Sequence, residues 1–266
     1  MYKIFFTAFV ILFSLCTTAQ ETKKNKREIK KERINALIKQ EEEGVIAYRK
    51  HTVYGLKLTN DGYGFFMEVG RGQSVNKSLL FQLDFAERKH PKEDKQTNPF
   101  FPSTPFIFGK INFFYPLKLG LQQQIVLGNK TNKNGVSVTG NFGGGISLGL
   151  LRPYMLDVTD TATGGRKNIK YDGPDSTLFT NSNELVSLNV GGPRFGTGWG
   201  SMKLTPGAYA KAALRFDYGR YNEMVNALEV GITAEVYSKK VQQLVFVKPK
   251  RLFFNAYVAI MFGRRK

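Results

Sequence analysis

The sequence predicts an all-β fold, an eight-stranded antiparallel up-and-down transmembrane β-barrel preceded by a short charged N-terminal leader segment. Three observations carry that expectation. Bulky apolar residues alternate with small or polar ones through eight separate segments, the period of a strand with two unlike faces. The polar face bears charges of both signs, and the apolar face bears none in the strand cores. Short and long connections alternate along most of the chain, as in a barrel with tight turns at one end and large loops at the other.

The strands follow in order. YGLKLT sets Tyr54, Leu56 and Leu58 against Gly55, Lys57 and Thr59, and Asn60-Asp61-Gly62 then signals a hairpin. In the second segment Tyr63, Phe65, Met67 and Val69 oppose Gly64, Phe66, Glu68 and Gly70. In the third, Leu79, Phe81, Leu83 and Phe85 oppose Ser78, Gln82, Asp84 and Ala86, with Leu80 as the exception. The fourth sets Tyr115, Leu117, Leu119 and Leu121 against Lys118, Gly120, Gln122 and Gln124. The fifth sets Val136, Val138, Phe142, Ile146, Leu148 and Leu150 against Ser137, Thr139, Asn141 and a run of glycines. Ala208 to Tyr218, Leu228 to Val236 and Leu252 to Phe262 complete the set. Each is long enough for a tilted membrane strand, and an even count returns both termini to one side. Gaps at 72–76, 128–135 and 219–224 are compact; those at 87–114, 153–205 and 238–250 are longer, and only the first gap, 60–62, breaks the rule.

The ends of the chain set the compartment. Residues 1–19 read as a secretory signal peptide: Lys3, an apolar run from Ile4 to Leu15, then Thr17-Thr18-Ala19 before Gln20. A lipoprotein signal using Cys16 is the rival, disfavoured by Leu15 where a small residue is expected. Removal after Ala19 leaves no cysteine, hence no disulfides or thiol catalysis. Residues 20–44 form a charged periplasmic leader, with helical spacing at Ile29, Ile34 and Leu37, and residues 45–266 form the barrel. The net charge of +18 would ordinarily suggest nucleic acid. An exported chain does not meet it, so outer-membrane lipid and lipopolysaccharide are the expected counter-charges.

The polar face decides which side meets lipid. It carries Lys57, Lys118, Lys211 and Arg215 with Glu68, Asp84, Asp217, Glu229 and Glu235. Each Lys or Arg at mid-membrane would cost about 2–4 kcal/mol on the lipid face. The interior of an eight-stranded barrel is just wide enough for side chains to fill, so these nine are expected to form a paired polar network in the lumen. A soluble barrel with its apolar face inward is the competing arrangement.

Gly109-Lys110-Ile111-Asn112, Gln122-Gln123, Lys133-Asn134-Gly135-Val136 and Gly149-Leu150-Leu151-Arg152-Pro153-Tyr154 resemble motifs of the small outer-membrane β-barrel proteins of Bacteroidota. The resemblance covers about residues 105–156. Its members mostly have no assigned activity, and the small barrel of the type IX secretion and gliding apparatus is similar in size and architecture. The resemblance therefore implies an envelope complex as a partner. The chain departs from the usual barrel ending, with Gly263 to Lys266 expected to follow the last strand as four extra residues.

Chemistry is sparse. The two histidines, His51 before the first strand and His90 in a long loop, fall at opposite ends of the predicted barrel, which argues against a shared metal site. A lipid-modifying enzyme of this size class would need His90 with Ser103 or Asp94, and no spacing supports that pairing. Gly143 to Gly145 and the stretch at 190–200 lack the strand-to-helix setting of a phosphate loop. Phe100, Phe101, Phe106 and Phe108 lie between prolines in a predicted external loop, and form either a contact surface or a cap folded onto the mouth. No cofactor, metal or catalytic residue is expected. The function expected is that of a non-enzymatic outer-membrane component, structural or interactive; a lipid-modifying enzyme and a small channel are the alternatives.

Overall fold

The computed structural model describes residues 31, 34–35, 50–74, 76–100, 102–130, 135–160, 163–174, 176–181, 190–219 and 223–265. The expected signal peptide lies outside them, and so does the leader apart from Lys31, Ile34 and Asn35, which are helical.

Twelve strands follow in chain order: β1 Lys50–Thr59, β2 Gly62–Ser74, β3 Lys77–Arg88, β4 Lys95–Gln96, β5 Phe106–Ile107, β6 Asn112–Gly128, β7 Ser137–Pro153, β8 Met155–Thr159, β9 Arg166–Lys170, β10 Lys203–Asp217, β11 Met224–Val241 and β12 Lys250–Arg265. Eight of them close a ring in the order β1-β12-β11-β10-β7-β6-β3-β2. Every neighbouring pair in the ring is antiparallel, so the fold is the eight-stranded up-and-down barrel the alternation predicts. The four short strands make two hairpins, β4 with β5 and β8 with β9, in the loops at the end away from the start of β1 and the end of β12.

The two faces of each strand are sorted as in a membrane barrel. Leu56, Ile146 and Phe254 point outward and are 70, 66 and 69 % exposed, whereas Glu68 and Glu229 point inward and are 0 % exposed. A water-soluble barrel requires the reverse. Close approach of inward groups needs glycine at several positions, as two of them show. A Cβ on Gly70 would overlap the His51 ring, and one on Gly120 would collide with the Tyr209 hydroxyl and the Gly144 carbonyl.

Three sequence expectations are corrected. His51 does not precede the first strand. It lies in β1, where it pairs with Gly70 on one side and Arg265 on the other. Strand β3 continues to Arg88, past the start of the gap expected at 87–114. Gly263 to Arg265 are not an extension; Arg264 and Arg265 pair with Thr52 and His51 and complete the closing strand. The loop after β7, expected only as a long connection, folds as the β8–β9 hairpin and two short 3-10 turns at Ser176–Phe179 and Trp199–Ser201.

Candidate functional site

All nine residues expected in the lumen are buried. They are joined across the bore and not merely along its wall. β2 and β10 are opposite one another in the ring of eight. Arg215 on β10 donates from Nη1 and Nη2 to the two carboxylate oxygens of Glu68 on β2, at 2.8 and 2.7 Å. Its Nε and Nη2 also donate to Glu229 Oε2, at 3.0 and 2.7 Å. Glu229 accepts further bonds from Asn141 Nδ2 at 2.9 Å and the Tyr257 hydroxyl at 2.7 Å, with Lys211 Nζ at 2.8 Å. His51 Nε2 lies 3.4 Å from Glu68. Planar guanidinium and carboxylate groups match in this forked geometry, the strongest form of side-chain pairing.

A second bridge crosses nearer the loop end. Arg88 on β3 donates to Glu235 on β11 at 2.6 Å, again between opposite strands. Lys118 donates to the same oxygen at 2.7 Å, and the Tyr237 hydroxyl to the other at 2.8 Å. Between the bridges Lys57 pairs with Asp84, Gln122 with Gln82, and Lys211 donates to Gln82 at 3.1 Å. Asp217, at the end where β1 begins and β12 ends, pairs with Arg265 and Lys130.

Sequence reasoning missed Arg88, and with it the charge balance. Adding this buried guanidinium raises the lumen bases to five against five acids. The signal was present: Ser78, Leu80, Gln82, Asp84, Ala86 and Arg88 keep the inward parity without interruption. Charges so arranged pair across the bore; removing one partner would strand another in a buried setting.

The loops beyond the bore have their own apolar core, including Phe106, Ile107, Tyr154, Leu156, Ile169 and Phe179. The Tyr154 hydroxyl oxygen accepts the Ile107 amide at 2.8 Å, and burial pushes its pKa up to about 12. Lys110 Nζ donates to Glu93 at 2.5 Å and sits 4.4 Å from the centre of the Phe113 ring; burial pulls its pKa down.

The four loop phenylalanines part company here. Phe106 belongs to this core, Phe108 packs on it and stacks with Phe246 at 5.6 Å, and Phe100 is 72 % exposed. Phe101 lies outside the described residues. On the outer wall Arg152 is held between the rings of Phe113 and Trp199, at 4.1 and 4.9 Å, and donates to the Phe195 carbonyl at 3.2 Å. That contact pins the end of the long loop to the barrel.

His90 is not assembled with Ser103 or Asp94. Its Nδ1 accepts the Lys92 amide at 3.1 Å, and its own amide donates to Glu93 at 3.0 Å. Burial, then the Lys250 ammonium, hold its imidazole below the ordinary range. Among the described residues no group of three or more His, Cys, Asp or Glu side chains could hold a metal ion.

No protein-family model matches the chain, and no curated protein does. Among solved structures it is similar to Neisserial surface protein A, at 8% identity over 82% of this chain and 96% of that one, with a TM-score of 0.39. It is also similar to the N-terminal β-barrel domain of Pseudomonas aeruginosa OprF, at 8% identity, 81% and 98% coverage and a TM-score of 0.33, and to Ail, the attachment invasion locus protein of Yersinia pestis, at 9%, 82% and 96%, and 0.33.

Proposed function

We propose that this chain is a non-enzymatic β-barrel of the outer membrane, a structural or interaction component of the cell envelope that meets its partners through its folded loops. One observation carries the reading. The barrel is closed and lipid-compatible outside, yet two arginine–glutamate bridges span its bore. Such an interior supports a plugged scaffold over a small channel. The separation of His90 from the serine and aspartate it would need supports a scaffold over a lipid-modifying enzyme.

Strand β1 begins and β12 ends at one end of the barrel, and the export-type N-terminal sequence supports assigning that end to the periplasm, leaving the folded loops outside. The motifs that resemble small Bacteroidota barrels extend the proposal to an accessory role in an envelope complex, a secretion apparatus being the candidate, with outer-membrane lipid and lipopolysaccharide as the surrounding partners.

A tagged copy tests the reading. It should fractionate with the outer membrane, migrate differently on gels before and after boiling, and show no large, stable open state in planar bilayers. Recovery in the soluble fraction would refute the location, and a steady porin-like current would refute the plugged interior. Crosslinking in intact membranes, followed by identification of the captured chains, tests the complex.

A further inference from the structure

The hairpin that joins β11 to β12 differs from the other loops in its charge. KKVQQLVFVKPKR, residues 239–251, holds Lys239, Lys240, Lys248, Lys250 and Arg251 and no acid. All five side chains are exposed. Among the described residues none of the five takes part in an ion pair. Two acids of the adjoining loops are already engaged, Asp61 with Arg88 and Glu93 with Lys110. In the long loop after β7, acids stand among the bases: Lys203 pairs with Asp172, and Arg166 with Asp157.

The position of these cations matters as much as their number. Pairing is regular up to Val236 opposite Leu252, then shifts, and resumes with Val241 opposite Lys250. The shift gathers Tyr237 to Lys240 into a bulge beside Lys250 and Arg251. Directly below, on the same two strands, Val236, Leu252 and Phe254 are exposed and point outward. Two residues of strand separate Leu252 from Lys250, about 7 Å. The cations therefore stand one step above the apolar belt, at the height of lipid headgroups. Lys248 and Lys250 also border one notch together with His90 and Phe253, so part of the charge converges on a single point.

We propose that this hairpin binds the phosphate groups of an anionic lipid in the leaflet at the loop end of the barrel. The inference rests on the membrane reading above and deepens it by assigning the lipid's seat. A cationic rim continuous with an apolar wall fits an amphiphile, whose chains occupy the wall while its phosphates meet the amines. A soluble polyanion would use the rim alone and gain nothing from the apolar rows beneath.

The test uses the full chain, folded in neutral detergent with bis-phosphorylated lipid A or its dephosphorylated counterpart, and native mass spectrometry to count retained lipid. Wild type should retain the phosphorylated form. Replacing all five residues with glutamine should lower retention about tenfold or more, since each basic residue at a charged surface contributes appreciably. The same change at Arg166, Lys167 and Lys170 should leave it nearly unaltered. Gel mobility before and after boiling verifies that each variant is folded, and the single Lys250→Glu variant gives the same readout with less perturbation. Equal retention by wild type and the five-fold variant would overturn the inference, as would equal retention of the dephosphorylated lipid. Polyphosphate displacing lipid A from wild type with its phosphates counted equally would assign the rim to a soluble polyanion and likewise overturn it. A barrel that inserts in bilayers but retains no lipid refutes this inference alone; a chain that never inserts refutes the membrane reading with it.

Discussion

Arg215 and Glu68 face each other from opposite walls of the barrel and are joined by two parallel hydrogen bonds of 2.8 and 2.7 Å through the middle of the bore. The same guanidinium holds Glu229. One side chain thus bridges two buried acids, and Lys211 supplies the second positive charge beside Glu229. Arg215→Met should lower unfolding free energy by about 3–5 kcal/mol in a urea titration of the refolded barrel, because it strands a buried carboxylate. Adding Glu68→Gln to that variant should restore a good part of the loss. If the double variant is no more stable than Arg215→Met, the bridge does not carry the coupling assigned to it.

The alternation of faces makes neighbours unequal. Leu83 points outward and Gln82 into the lumen, where it accepts a hydrogen bond from Lys211. Leu83→Lys should cost about 2–4 kcal/mol and lower the yield in the membrane fraction. Gln82→Glu places a carboxylate beside that same lysine and should be nearly neutral. Equal yields from the two variants would reverse the assignment of faces.

Gly70 and His51 share one space, the imidazole occupying the volume that a Cβ on Gly70 would need. Gly70→Ala should therefore destabilise by about 1–3 kcal/mol through overpacking. His51→Ala in the same chain should relieve most of that penalty, and a double-mutant cycle measures the relief. Additive losses would show that the two sites do not compete.

His90 supplies a pH dependence outside the membrane. Its imidazole is held below the ordinary range, first by burial and then by Lys250. A depressed histidine binds its proton less readily in the folded loop than in the unfolded chain. The resulting stabilisation is full above the unfolded pKa and is lost as pH falls through the folded one. The NMR titration midpoint of His90 should lie below that of free imidazole, and Lys250→Gln should move it upward. A midpoint that ignores the substitution would separate the two residues.

Much of the barrel was legible because a strand's side chains repeat every two residues, and the contrast between Leu79-Phe81-Leu83 and Gln82-Asp84 survives at any register. Strand ends were less legible. At Glu87-Arg88-Lys89 three charges in a row hide which one turns inward, and only the parity carried up from Ser78 selects Arg88. At Gly263 to Arg265 the basic residues resembled a tail, yet Arg265 is drawn into the sheet by Asp217. The bridges themselves left no local trace. Arg215 and Glu68 are 147 residues apart, as are Arg88 and Glu235. Their meeting follows from ring order and stagger, which no single segment encodes. The loop core was hidden for a different reason: Leu156 and Ile169 each sit in a five-residue strand, too brief to establish a period.

The seam between β1 and β12 joins the first and last strands of the sheet, with Thr52 opposite Arg264 and His51 opposite Arg265. Every other pairing in the ring can form while that seam is open, but none removes the two free edges. In hydrocarbon an unpaired row of amides and carbonyls has no solvent to turn to. Closure of this one seam removes both free edges at once, and the molecule then has no beginning or end along its circumference from which to unravel.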